Sequence, residues 1–268
     1  MVRKKVRVEK HNTRIAIFFV IFVCAIIVVS IVLKTISVFA QSKFDGSNRF
    51  TISVSNDKNL EVVSFSPNKH SISILKIDGE VKNLKVDRFL KIPIDGFVRA
   101  SFLKTDKDVA SLMSSVFFGF KDIKTNLNIV DILRLILASR TTPTNNLLVY
   151  NITSSMEEQK VYKIVEKLFK DDEIEKENQT VEIINTTQVL GLGGRLARLI
   201  TNMGGNVIQV STENNSQKKS IIFYNGKKSY TIEKLSKALG FLTSKMNKQS
   251  IADITIVIGE DNRDPLSF

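Results

Sequence analysis

Residues 15–33 form an uncharged run of 19 residues, IAIFFVIFVCAIIVVSIVL, closed by Arg14 on one side and Lys34 on the other. At a helical rise of 1.5 Å per residue it reaches roughly 28 Å, the hydrocarbon thickness of a bilayer. The run is apolar on every face, unlike a surface helix, and too unbroken for a soluble core element. It therefore predicts a transmembrane helix at 15–33 behind a basic leader, 1–14. Cys24 sits in its middle, where a thiol behaves as a small hydrophobe. Arg3, Lys4, Lys5, Arg7, Lys10 and Arg14 precede the run and place the N-terminus in the cytoplasm. The expectation is a single-pass protein of the cell membrane with the bulk of the chain outside. A cleaved signal peptide is the competing reading, because Val38, Phe39 and Ala40 resemble a cleavage site. Against it, the apolar run exceeds the usual signal core of about 7–15 residues.

The net charge of +12 over 268 residues invites a nucleic-acid reading until its distribution is followed. Residues 1–34 hold seven bases and one acid, a net +6; residues 35–178 contribute +2 and residues 179–268 contribute +4. Half of the excess thus flanks the span as a topology signal, and the nearly neutral middle offers no nucleic-acid surface. One Cys and two His (His11 and His70) exclude a disulfide framework and a thiolate or histidine metal centre. No metal and no cofactor is expected.

Beyond the span, 34–49 reads as a linker, polar from Gln41 on. Phe50, Ile52 and Val54 alternate with Thr51 and Ser53 as a half-buried strand. Residues 60–65 and 71–77 are two more strands, with Ser66, Pro67 and Asn68 turning the chain into a hairpin. Residues 92–102 read as extended. Thr105 with Asp108, Asn128 with Asp131 and Ser154 with Glu157 are capping pairs that open three helices. The Met113, Phe117 and Phe120 stripe is plain core. The charged stretch 171–179, DDEIEKENQ, reads as a solvated boundary between modules.

From Thr180 the periodicities are regular. Strands at 181–184, 207–210, 221–224 and 254–258 alternate with amphipathic helices. Leu192, Leu196, Leu199, Ile200 and Met203 mark one helix; Ile232, Leu235, Leu239 and Leu242 mark the other. The succession βαββαβ is that of a ferredoxin-like split βαβ sandwich. The fold class is thus α+β / α/β: a membrane helix, an α/β module at 50–170 and a ferredoxin-like domain at 180–262.

The loop from Asn185 to Arg195 is the most suggestive for binding, since it joins a strand to a helix N-terminus, which favours an anion. Asn185, Thr186, Gly191, Gly193, Gly194 and Arg195 are its candidate ligand-binding residues. The alternative is structural: Asn185 and Thr186 hold the turn while the glycines permit close packing or positive φ. The loop is neither a Walker A motif nor a full dinucleotide fingerprint, since Leu196 stands where the last glycine would be. His70 reads as a surface residue, and Lys218, Lys219, Lys227 and Lys228 as a solvated rim. No Ser/His/Asp set suggests a catalytic residue.

V-E-I-I-N-T-T at 181–187, G-L-G-G-R-L-A-R-L at 191–199, G-G-N-V at 204–207, I-I-F-Y at 221–224 and A-D-I-T-I-V-I-G-E-D at 252–261 resemble, in order and spacing, the LytR C-terminal domain. The resemblance implies a bacterial cell-envelope protein whose C-terminal domain is not known to catalyse anything. S-F-S-P-N-K-H-S-I-S-I-L-K-I at 64–77 and I-P-I-D-G-F-V at 92–98 more faintly resemble the LytR-CpsA-Psr catalytic domain. That domain transfers glycopolymers from a polyprenyl pyrophosphate with Asp, Arg and magnesium. Here Gly79 and Glu80 stand where the family has Arg-Asp, its acid before the hairpin falls near Lys58, and only Asp57 weakly matches an earlier acid. Only 81–91 replaces the lipid-covering helices, and the later arginine motif is absent around Arg134 and Arg140. Without arginines nothing holds a pyrophosphate's charge during transfer. The resemblance thus implies a membrane-anchored, non-catalytic envelope protein whose partner is a cell-wall polymer or an envelope protein, with no nucleic acid. Residual glycopolymer transfer and envelope-linked regulation are the alternatives.

Overall fold

The computed structural model describes residues 11–78, 89–104, 108–153, 156–246 and 250–264, with side chains from residue 15 onward. The leader's bases at 3–10, Gly79 and Glu80, Thr105 and Ser154 lie outside the described residues. The chain forms two units, Met1–Ser42 and Lys43–Phe268.

In the first unit, α1 (His11–Ala40) is one unbroken helix. Its stretch Ile15–Ala40 has a mean hydropathy of 3.4 over its most apolar window, with none of that window buried, and is long and apolar enough to cross a membrane. The helix continues past Lys34, so helical structure outlasts the expected span by seven residues and the polar linker begins at Gln41.

The second unit is built on two sheets. The first contains β1 (Phe50–Ser55), β2 (Leu60–Ser66), β3 (Ser71–Asp78), β4 (Gly96–Arg99), β5 (Lys124–Thr125) and β6 (Leu147–Thr153), in the order β5-β4-β1-β2-β3-β6. β1, β2 and β3 form an antiparallel meander whose second turn is the expected one, with His70 exposed in a left-handed conformation at its end. β4 runs parallel to β1, and β6 parallel to β3. Sequence reading misses β6. As an edge strand it leaves Leu148 and Val149 exposed and buries only Ile152 fully, so it lacks a period of two.

Helices cover both faces of this sheet. On one side, α2 (Val109–Phe118) and α3 (Ile129–Thr141) set Leu112, Met113, Val116, Ile132 and Leu135 against Ile52, Val54, Val63, Phe65 and Ile74. Asp108 caps α2 by accepting from the Ser111 amide at 2.9 Å. Asn128 and Asp131 form the expected capping box of α3. The buried Asp131 carboxylate also accepts from the Lys43 and Phe44 amides at 2.8 and 2.9 Å, so the supposed linker is pinned to the module. On the other face α4 (Glu158–Phe169) packs Val161, Val165 and Leu168 on Val62, Leu75 and Ile77. With both faces covered, β1 is more buried than its alternation predicts. Thr51 is 4% exposed, and its hydroxyl shares a hydrogen bond with that of Ser64. Glu157 caps α4 without a side-chain hydrogen bond.

The second sheet has the order β10-β9-β11-β7-β8. Its strands are β7 (Thr180–Asn185), β8 (Asn206–Thr212), β9 (Ile221–Tyr224), β10 (Leu242–Lys245) and β11 (Ile254–Ile258). The mixed α/β class is as expected, but the pairing is not the split βαβ. β7 and β8, joined by α6 (Leu192–Asn202), are parallel neighbours, as are β9 and β10. β11 lies between the two pairs, parallel to β7 and antiparallel to β9. The fifth strand arises because Gly240, at φ +71°, ends α7 (Tyr230–Leu239), which links β9 to β10. Leu242, expected on that helix, instead opens β10 and is exposed. Leu196, Ile200, Ile232 and Leu235 of the two helices bury into one core with Ile183, Ile222 and Ile256.

The stretch expected to be solvated joins the sheets. Residues of DDEIEKE form α5 (Asp172–Glu177), with Asp171 as N-cap and with Asp172 and Ile174 buried. Asp172 reaches back to the hairpin, pairing with Lys69 and accepting from the Ser66 hydroxyl at 3.3 Å. Asp171 accepts from the Tyr230 hydroxyl at 2.8 Å, while its amide donates to Met203 O at 2.8 Å. Glu177 takes the Tyr230 and Thr231 amides at the start of α7, at 3.0 and 2.8 Å. Beside this, Lys234 of α7 pairs with Asp95 at 3.2 Å, the side chains 11% and 8% exposed, and donates to Arg49 O at 2.9 Å.

Removing one member of such a buried pair strands the other's charge, at about 3 kcal/mol or more. Lys234→Met is expected to lower unfolding stability by about that much. Asp95→Asn in the same chain should restore part of the loss, which denaturant unfolding of each variant would read.

Candidate functional site

β7 delivers Asn185, Thr186 and Thr187 to the end of the second sheet, all three at most 3% exposed. Their polar atoms are used internally. Asn185 Oδ1 accepts from the Thr187 amide and hydroxyl at 3.1 and 2.8 Å, and Asn185 Nδ2 donates to Val189 O at 3.0 Å. The Thr186 hydroxyl donates to Ile258 O at 2.8 Å and accepts from the Gln217 amide at 3.1 Å. The loop from β8 to β9 is thereby tied to β7 on one side. On the other it is tied to the G-E-D turn after β11. Glu260 N donates to Gln217 O at 2.8 Å, and Asp261 accepts from the Ser220 amide and hydroxyl at 2.9 and 2.7 Å. Burial alone would raise the Asp261 carboxyl; hydrogen bonds led by that of the Ser220 side chain outweigh it and hold the group below the usual range. Asn185 and Thr186 thus act as the fasteners of a clasp.

The three glycines of the loop differ in what they do. Gly191 is the N-cap of α6 at φ +76°, where side chains are strained. A methyl on Gly193 would come 2.8 Å from Val210 Cγ1, so this glycine lets α6 lie close on β8. Gly194 meets nothing within 4 Å and has no backbone need for glycine. Arg195 follows, with its Nε and Nη2 buried and without a hydrogen-bond partner.

One turn further along α6, the Arg198 guanidinium lies 4.2 Å from the centroid of the Tyr162 ring of α4. Lys91 Nζ stands 5.9 Å from the same centroid. The Tyr162 hydroxyl donates to the Glu158 carboxylate. Burial lowers the Lys91 ammonium from its ordinary range, as do Arg198 and Arg195, against the opposing pull of Glu158. Of these cations, the loop reading names Arg195 alone. Arg198 was within reach of sequence reasoning as the neighbour three residues along a helix. Lys91 and Tyr162 come from other elements, and no local spacing announces them.

The sequence's remaining candidates are separate from this place. Lys218, Lys219, Lys227 and Lys228 are all exposed. His70 borders a groove of about 480 Å³ between the hairpin and α3, where Phe65, Ile72, Leu137 and Arg134 also contribute. Among the described residues no three His, Cys, Asp or Glu side chains gather as a metal site.

The clasp has no slack at Gly259, where a methyl would lie 2.5 Å from the Lys219 carbonyl carbon and 2.9 Å from Gln217 O. Gly259→Ala should therefore cost about 2 kcal/mol or more, by forcing backbone apart. Gly194→Ala, facing open space on a helix, should be neutral or gain up to about 1 kcal/mol. Thermal unfolding of the two variants would show the contrast, and equal melting temperatures would contradict it.

Residues 178–261 match the family model described as LytR cell envelope-related transcriptional attenuator. None of the curated proteins is a match. Among solved structures, the transcriptional regulator yvhJ from Bacillus subtilis is similar at 15% identity and a TM-score of 0.35, covering 45% of this chain and 97% of its own. TagV from B. subtilis is similar at 10% identity and a TM-score of 0.33, covering 47% of this chain and 97% of its own. The apolar helix and the matched domain together fit an envelope-associated protein. Residues 178–261 are a LytR C-terminal domain.

Proposed function

We propose that this chain is a single-pass membrane protein of the cell envelope, with residues 43–268 on the extracytoplasmic side. Its body acts without catalysis as a tethered binding module. In this reading a module at 50–170 carries a binding domain at 180–262, and that domain takes up a cell-wall component or an envelope partner. The observation that carries the reading is the pairing of a helix able to cross a membrane with a LytR C-terminal domain in one chain. The charge distribution supports the orientation, since the leader ahead of the helix is basic. The clasp supports binding in a different way. With the loop's own polar side chains tied down, the exposed flank of α6 is a fixed surface, and a rigid site loses little entropy when it binds.

Two measurements test it. With Cys24→Ser in the background, a cysteine placed by Lys218→Cys, an exposed position, should react with a membrane-impermeant maleimide on intact cells; labelling only after lysis would reverse the orientation. The purified full chain in detergent should co-sediment with purified cell-wall sacculi well above an inert control of similar charge. Retention equal to that control would remove the binding role.

A further inference from the structure

The chain that follows the apolar helix is fastened to α3 almost at once. Only Gln41 and Ser42 separate Ala40, the last residue of α1, from Lys43. The Asp131 carboxylate, in the first turn of α3, holds the Lys43 and Phe44 amides at 2.8 and 2.9 Å, and Arg134 donates to Phe44 O. Phe44 is buried and stacked on Phe50, with ring centroids 4.9 Å apart. Gly46 and Ser47 then border the same groove as Arg134 and Leu137 of α3. At 1.5 Å per residue the 26 residues of Ile15–Ala40 reach about 39 Å, close to the roughly 40–45 Å of a bilayer with its headgroup layers. A helix of that length standing across a bilayer ends among the outer headgroups. Two intervening residues then reach at most about 10 Å, so the tether cannot hold Lys43 far from the lipid surface.

The outer face of α3 beside this fastening is apolar and open. Leu133 and Leu137 are 47% and 64% exposed and, four residues apart, share one stripe of the helix. Arg140 and Thr141, both exposed, extend the stripe by a further turn. The inner face of the same helix buries Ile132 and Leu135 in the core, and the two leucines of the stripe lie outside that core. Lys43, also exposed, adds a second cation at the fastening. The nearby Asp45 carboxylate is turned into its own loop, accepting from the Ser47 and Asn48 amides at 2.8 and 2.9 Å. Exposed leucines edged by cations suit a lipid surface. The apolar side chains enter the boundary of the acyl chains, while long basic side chains reach the headgroup phosphates. Two leucines alone bind lipid weakly, but a tether of two residues raises the effective concentration of the surface, so weak contacts are enough.

We propose that the Leu133 and Leu137 stripe of α3, with Arg140 and Lys43 as its cations, is a membrane-docking face that lays the body against the bilayer surface. The inference rests on the proposed anchoring by α1 and goes beyond it, because a span alone leaves the body free to turn on its tether. It assigns the lipid contact to the first module, outside the LytR C-terminal domain.

The test places the full chain in vesicles of phosphatidylcholine and phosphatidylglycerol, with a fluorophore on a single cysteine and nitroxide-bearing lipids as the quencher. Thr141→Cys in the Cys24→Ser background puts the label on the stripe without removing a leucine. Lys218→Cys in the same background is the reference, and native Cys24, labelled before reconstitution, reports the span. The label at 141 should be quenched several-fold more than the label at 218. Leu133→Ser with Leu137→Ser should bring it down to the 218 level while melting temperature is kept, and Arg140→Gln should lower it in part. Quenching at 141 no greater than at 218, or unchanged in the double leucine variant, overturns the face. Shielding of the 141 label from aqueous iodide without quenching by nitroxide lipids, lost when the chain is diluted among vesicles, assigns the face to a second copy and overturns the lipid. If Cys24 is quenched and 141 is not, the anchor stands and the docking face falls. If 141 is quenched and Cys24 is not, the face stands and the anchor falls.

Discussion

The Lys234–Asp95 pair, nearly closed off from water, is the contact on which the rest of the body depends. A buried ion pair is a poor source of net stability but a demanding one for geometry, because each charge tolerates only one arrangement of its partner. Here it is backed by polar contacts of the same kind. Arg49 donates from Nη1 to Ser64 Oγ and Leu168 O, both at 2.9 Å. The short helix α5 bonds the hairpin with one aspartate and α7 with the other and with Glu177. Apolar surfaces would let two modules slide over each other; a row of directed hydrogen bonds does not. The two sheets consequently form one unit from Lys43 onward.

That rigidity gives the α6 flank its meaning. Lys91 belongs to the chain that serves the first sheet, Tyr162 to a helix packed on that sheet, and Arg195 and Arg198 to the second domain. Lys91 and Arg198 meet at Tyr162 only because the two parts are joined in a fixed relation. The clasp made by Thr186, Gln217 and the turn at Gly259 fixes the end of β7 from which the loop into α6 departs.

Much of this fold is legible in the sequence where side-chain periodicity reports directly on burial. The strands of the meander, the capping box of Asn128 and Asp131 and the second domain's alternation of strands and helices all follow from it. Charge misleads at 171–177, because a run of acids reads as solvated until its partners Lys69, Tyr230 and Thr231 are known, and these lie far away in the chain. Strand order is invisible for a related reason: β10 is four residues long, its Leu242 is exposed, and only Phe241 and the left-handed Gly240 separate it from a helix. In the loop singled out for binding, the side chains of Asn185 and Thr186 are occupied as fasteners. Local sequence can show that a loop has polar groups; it cannot show whether the fold has already used them.

The claim that the polar seam makes one body of two sheets is tested most directly by native-state hydrogen exchange across a denaturant series on the full chain. The slowest amides of β2 and β3 and those of β7 and β11 should open with the same free energy and the same denaturant slope. If β7 and β11 open with a smaller slope while β2 and β3 stay protected, the sheets are independent folding units. The seam would then be only a contact between them.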